Sequence, residues 1–288
     1  MRWWTYQKER FPLLANGLLI AAFSSCALLY SSHLSDGPLP GSAMFLVAFV
    51  TCFLFFLQLR IADEFKDAEE DATYRPYRPV PRGLVTLRQL GVVFVLSAAI
   101  QLTLALFFSP PLLIILFFAW AYLALMSVEF FAREWLVARP ITYLWTHMLI
   151  MPIVDLYATA CYWQPVLGTP PSGLLWFLAA SFTNGLVIEL GRKIRFPKDE
   201  ENGVPTYSKL WGPAKATTVW IGCLVATTLF AALAAHQIGA LAWVLLPLSF
   251  LLVLFAILQK PGKRIEVFSA LWTLTLYLSL GLLPLLRL

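Results

Sequence analysis

The sequence predicts an all-α, polytopic membrane protein, and three observations carry that reading. Hydrophobic residues make up 60% of the 288 residues and charged ones only 13%, a balance that excludes an ordinary soluble domain and a disordered one. Nine apolar runs each approach the roughly 20 residues that a helix needs to cross a bilayer. Basic residues gather in alternate connections between those runs.

In chain order the runs cover about 11–31, 42–61, 88–108, 111–131, 140–163, 172–194, 213–235, 238–258 and 265–286. The first is followed by eight more and by no small-x-small cleavage pattern, so it reads as a span and not as a removable signal peptide. Connections 32–41, 109–111, 164–171 and 236–237 are brief and nearly uncharged, with His33 and Asp36 in the first of them. The N-terminus and the remaining connections hold 20 of the 21 Lys and Arg residues, leaving Arg287 outside. The positive-inside rule therefore predicts a cytoplasmic N-terminus, in the inner membrane if the cell is bacterial.

The net charge of +5 is on this reading a topology signal, and no basic tract or stacking motif of a nucleic-acid binder is present. Cys26, Cys52, Cys161 and Cys223 fall inside apolar runs without CxxC spacing and read as packing residues. His33, His147 and His236 are too scattered for a zinc site.

Two inner connections, 62–87 and 195–212, stand out by length and charge, and each follows the second helix of a four-helix set. The spacing predicts two four-helix halves plus a ninth helix, forming one domain over residues 1–288, with a site between the halves. In the first connection Asp63, Asp67 and Asp71 recur at i, i+4, i+8, and Glu64 precedes Asp67 by three, so one helix face presents a column of carboxylates with Glu69 and Glu70 beside it. So many acids repel one another unless a cation sits among them, and oxygen-only ligands suit Mg2+.

Directly downstream runs Arg75-Pro76-Tyr77-Arg78-Pro79-Val80-Pro81-Arg82-Gly83, whose prolines predict an extended, non-helical backbone. Arginine offers a fixed fork of donors suited to phosphate oxygens. Acids for a metal followed by held arginines are what a metal-bound diphosphate needs; a solvated loop that obeys only the positive-inside rule is the plainer alternative.

Asp63-Glu64-x-x-Asp67-x-x-x-Asp71 followed by Arg78-Pro79-Val80-Pro81-x-Gly83 resembles the first aspartate-rich motif of the UbiA superfamily of intramembrane prenyltransferases, commonly Asn-Asp-x-x-Asp-x-x-x-Asp with an Arg-Pro-x-Pro-x-Gly segment. Asp63 stands where the family has Asn and Glu64 where it has the first Asp. The resemblance implies a nine-helix fold and a pocket opening to the inner loops. It also implies Mg2+ held by Glu64, Asp67 and Asp71 with Asp63 assisting.

The family's second motif, at the end of helix six, is usually another set of aspartates. Here Glu189 stands for the first acid and Asp199 or Glu200 for the last, before a Gly-Val-x-Thr-Tyr-Ser run that begins at Gly203. The middle acid is missing; Arg192, Lys193 and Arg195 stand nearby, so cationic side chains could replace part of a second metal's charge, and a solvated acidic turn balanced by Lys198 is the alternative for Asp199, Glu200 and Glu201.

Ionisable residues inside spans usually face the protein interior. Glu129 lies four residues before Arg133 and seven after Tyr122, roughly on one helix face; the resemblance implies that Arg133 reaches the diphosphate, and pairing of Glu129 with Arg133 is the alternative. Tyr143, His147, Met151 and Asp155 form a stripe expected to face the bundle, and Asn184 is a further polar residue that could line the pocket.

The resemblance thus implies a membrane-embedded, Mg2+-dependent prenyltransferase. It would bind an isoprenyl diphosphate through Arg78, Arg82, Arg133 and Lys193, and would act with Glu64, Asp67, Asp71 and Glu189 on an acceptor that the sequence does not identify. A terpene cyclase of the same type, a divalent-cation carrier and a non-catalytic prenyl-lipid binder are the alternatives. Oligomeric state is not legible.

Overall fold

The computed structural model describes residues 2–195, 197–200, 206–257 and 264–287, and among these there is no strand. A short helix α1 (Arg2–Arg10) precedes α2 (Leu13–Leu34), α3 (Ser42–Lys66) and the short α4 (Ala68–Tyr74). Then come α5 (Leu87–Phe108), α6 (Leu112–Ser127), the short α7 (Arg133–Val137), α8 (Pro140–Met148) and α9 (Ile150–Leu167). The chain continues with α10 (Leu174–Arg192), the short α11 (Tyr207–Trp211), α12 (Pro213–Gln237), α13 (Leu241–Ile257) and α14 (Arg264–Gly281).

By length and composition α2, α3, α5, α10, α12 and the α8–α9 pair can each cross a membrane, while α6, α13 and α14 carry shorter apolar stretches. These elements correspond in order to the expected apolar runs. Each packs on the next around a closed ring, α2–α3–α5–α6–α9–α10–α12–α13–α14 and back to α2. Contacts of α9 with α2 and α3, and of α10 with α14, fill its middle.

Burial explains that arrangement. Cys26, Tyr30, Phe55, Tyr157, Cys161 and Trp272 are fully enclosed, and the Tyr30 and Phe177 rings stack at 4.6 Å. Val95, Phe107, Ile114, Val225 and Phe250 lie on the outside, as apolar side chains can where the surrounding medium is lipid. All four cysteines are free thiols, packed as expected. At Gly281 a Cβ would come within 2.5 Å of the Cys26 Cα, so only glycine lets α14 approach α2 this closely.

Three local features differ from the sequence expectation. The fifth span breaks at Leu149, because Pro152 in the first turn of α9 lacks an N–H and crowds the Met148 carbonyl. The fourth helix stops at Ser127 and not near 131; Glu129, Phe130 and Phe131 take left-handed φ values of 51°, 52° and 57°. The proline segment after Arg75 folds into successive turns and is not extended, with Arg82 N–H donating to Arg78 O and Leu84 N–H to Pro79 O. Proline's fixed φ suits the second position of a turn as well as it suits extended chain. Gly83, at φ +75°, closes the segment, and Thr86 and Gln89 then form the capping box that starts α5.

Among the described residues each charged inner connection carries a short α-helix, α4 after α3 and α11 after α10. Residues 203–205 of the Gly203 run, Glu201 and the inner Lys260 and Lys263 lie outside the described residues.

Candidate active site

The carboxylate column survives as a register but not as one straight helix. α3 ends at Lys66, Asp67 caps it at φ −93° and ψ 7°, and α4 begins at Ala68. The i to i−4 hydrogen bonds run on regardless, from Asp67 N–H to Asp63 O (2.9 Å), Asp71 N–H to Asp67 O (2.8 Å) and Arg75 N–H to Asp71 O (2.9 Å).

The surroundings of the four acids diverge. Asp71 is buried, and its carboxylate is held by two guanidinium groups: Arg75 Nη1 lies 2.5 Å from Oδ1, and Arg78 Nη1 lies 2.7 and 2.6 Å from its two oxygens. Glu64 is buried too and pairs with Arg10 of α1. Asp63 is half-exposed, with Arg60 at 3.4 Å. Asp67 accepts no side-chain hydrogen bond and makes no ion pair among the described residues. Burial, and after it repulsion by Asp63, raises its pKa above the usual aspartate value, with Asp71 and Glu70 adding to the rise and Lys66 opposing it.

Arg82 is turned to Glu9 of α1 at 2.8 Å. The sequence reading did not anticipate α1. Its signal was there in Trp3, Trp4 and Tyr6 interleaved with charges, a pattern suited to the membrane surface.

A second cluster stands beside Asp67. Lys66 Nζ lies 2.6 Å from Glu129 Oε1 and donates to the Tyr143 hydroxyl at 2.6 Å; that hydroxyl donates to Glu129 Oε1 at 2.9 Å. His147 Nε2 lies 3.0 Å from Glu129 Oε2, Nδ1 lies 2.8 Å from the Tyr143 carbonyl, and the two rings stack at 3.9 Å. Burial opposes ionisation of Glu129, but hydrogen bonds from His147 and Lys66 overcome it and lower its pKa to about 2. These contacts hold the left-handed turn in place, with Phe130 edge-on to Tyr122 and His147; such backbone costs about 1–2 kcal/mol per residue. They also correct the expected Glu129–Arg133 relation: the turn takes Glu129 inward and leaves Arg133 exposed, with no ion pair among the described residues.

From the other half, Glu189 pairs with Arg192 (2.6 Å) and Lys193 (2.8 Å), and Lys193 Nζ sits 5.9 Å from the centre of the Tyr207 ring. Lys193 O accepts from Tyr207 N–H, and Ser208 Oγ accepts from Arg195 N–H, which fastens α11 to the end of α10. Asp199 is exposed on the single turn Pro197–Asp199, and Glu200 accepts from the Thr206 hydroxyl. The two halves meet here: Arg192 is within electrostatic reach of Asp63 and Arg60, and Tyr207 of Glu189 and Tyr143. Deeper in the bundle, Asp155 is fully buried and accepts from the Tyr277 hydroxyl at 2.7 Å, and Asn184 accepts from Thr273 at 3.1 Å.

Among the described residues no three His, Cys, Asp or Glu side chains converge as a metal cage. Mg2+ rarely uses one, binding instead through one or two carboxylates, water and substrate phosphate. Asp67 fits that habit, being an acid that Asp63 repels and that makes no ion pair among the described residues; half-exposed Asp63, with Arg60 at 3.4 Å, stands beside it, whereas Glu64, Asp71 and Glu189 are more closely paired with arginine and lysine.

An all-helical bundle of apolar helices, with paired acids and bases gathered at one end of it, defines an integral, multi-pass membrane protein. The model of the UbiA prenyltransferase family matches residues 13–285, and the chain belongs to that family. It is similar in fold to the apo structure of a UbiA homolog from Aeropyrum pernix K1, with a TM-score of 0.68 and 15% identity over 91% of this chain and 95% of that one. A digeranylgeranylglyceryl phosphate synthase is also similar, with a TM-score of 0.58 and 17% identity over 93% of this chain and 98% of that one. No match was found among curated protein sequences.

Proposed function

We propose that this membrane prenyltransferase uses Mg2+ to activate an isoprenyl diphosphate at the end of the bundle where Asp67, Arg78, Glu189 and Tyr207 gather, and passes the prenyl group to an acceptor. The observation that carries the reading is Asp67: a half-buried carboxylate without a side-chain partner among the described residues, surrounded by other acids and next to paired arginines. Mg2+ held by Asp67 and Asp63 would supply Lewis-acid stabilisation of the departing diphosphate.

The chain's own groups do the rest. Asp71 fixes the Arg78 guanidinium and leaves most of its donors unused, so they are preorganised for phosphate oxygens. Glu189 and the Tyr207 ring position Lys193 in the same way from the other half. Arg82 reaches the substrate only by leaving Glu9, an exposed pair that costs little to open. The concentration of basic residues in the same connections supports a cytoplasmic position for this end and for the N-terminus.

The test is diphosphate release from farnesyl or geranylgeranyl diphosphate by purified protein supplied with a lipid extract. Release should require Mg2+ and be lost in Asp67→Asn; release that ignores both overturns the proposal. The pairing of Glu64 with Arg10 favours one other reading, a non-catalytic prenyl-lipid binder, which would show saturable binding of the diphosphate with no release.

A further inference from the structure

A cleft of about 780 Å³ opens between α3, α5 and α6, away from the Glu189 half of the site. Small residues create it: Gly91 and Ala98, seven apart and so on one face of α5, with Ala124 of α6 also lining it. Its walls are otherwise apolar, from Phe94, Val95, Trp120 and Leu123, and its polar lining comes from Lys66 and Ser127. Lys66 has three donors; its ion pair with Glu129 and its hydrogen bond to Tyr143 use two, and the third has no partner among the described residues.

Arg88 lies three residues before Gly91 and seven before Val95, hence on the same face of α5 at its inner end. It is exposed and makes no ion pair among the described residues. The cleft thus combines an apolar slot at membrane depth with two cations at its inner end.

We propose that this cleft binds an anionic lipid, its phosphate between Lys66 and Arg88 and its hydrocarbon chain running between α5 and α6. A zwitterionic headgroup does not match, because it would bring its own cation to two fixed ones. A chain without a charged head would leave the third Lys66 donor unpaired in apolar surroundings, which is costly. The proposal does not depend on the prenyl-transfer reading, since binding is measured without turnover.

Three probes test it on the full chain in detergent micelles, with adducts read by native mass spectrometry: palmitoyl lysophosphatidic acid, palmitoyl lysophosphatidylcholine and inorganic phosphate. The first should bind, the second more weakly, and the third should neither bind nor compete at equal concentration. Arg88→Gln, which disturbs no contact, should weaken the first by about fivefold. Gly91→Leu should abolish binding by filling the slot, and a diazirine on the acyl chain should label residues of α5 and α6. Equal binding of both lipids, insensitivity to Arg88→Gln and Gly91→Leu, or labelling confined to other helices overturns the proposal. Competition by inorganic phosphate also overturns it, by showing a free-anion site.

Discussion

Arg78 Nη1 touches both carboxylate oxygens of Asp71, at 2.7 and 2.6 Å, while Asp67, four residues earlier, touches no cation among the described residues. The two acids of one motif thus differ in their surroundings, and the proposed function gives them different tasks: Asp71 would organise arginines, and Asp67 would take the metal ion.

Substitution should separate those tasks. Asp71→Asn leaves the buried Arg75 with Glu70 alone as counter-charge and removes the carboxylate shared with Arg78, and should lower stability by about 3 kcal/mol, read as a fall in Tm. Asp67→Asn should abolish Mg2+-dependent diphosphate release while Tm holds or rises, since it removes a charge that its neighbours repel. A large fall in Tm for Asp67→Asn would contradict this division.

The pH dependence follows from the same residue. The pKa of Asp67 is raised, so its charge costs stability above that value, and the cost disappears as the pH falls into the ordinary aspartate range. Mg2+ needs the ionised form; activity should therefore decline on the acid side at a pH above that expected of an exposed aspartate. Raising Mg2+ should move the decline to lower pH, and pH profiles at two Mg2+ concentrations check it.

Glu129 has the opposite sign. Its pKa is lowered from 4.5 to about 2, so its pairing stabilises the fold fully above the ordinary glutamate value, and that contribution is lost as the pH falls toward 2. Glu129→Gln should lower stability at neutral pH by about 3 kcal/mol, with Lys66 left half-paired beside a strained turn. An unchanged Tm would show that other contacts hold the turn.

The N-terminal helix acts as a clamp. Arg10→Ala leaves Glu64 buried without its cation and should cost about 3 kcal/mol. Arg82→Ala, which opens only an exposed pair with Glu9, should change Tm little, so thermal unfolding of the two variants distinguishes a buried clamp from a surface contact.

Much of the candidate site was legible because its register is local. Asp63, Asp67 and Asp71 fall on one helical repeat, and that repeat survives the break at Asp67 since the backbone hydrogen bonds run through it. The alliance of Lys66 and Glu129 with Tyr143 and His147 was not legible: Lys66 and Glu129 stand 77 and 14 residues from Tyr143, and spacing on a straight helix had linked Glu129 to Arg133 instead. The left-handed turn after Val128 carries neither glycine nor asparagine to announce it, so only its tertiary contacts account for it.

The sequence by itself determined the helical class, the order of the apolar elements, the two charged inner connections and the family motif, because hydropathy and i, i+4 spacing are properties of neighbouring residues. Only the tertiary structure decided which acids are neutralised. Arg10, Arg75, Arg78, Arg192 and Lys193 reach their carboxylates, and Asp67 has no ion pair among the described residues. Charge pairing is settled by a few ångströms in space, and partners as far apart in sequence as Arg10 and Glu64 meet only once the helices have packed.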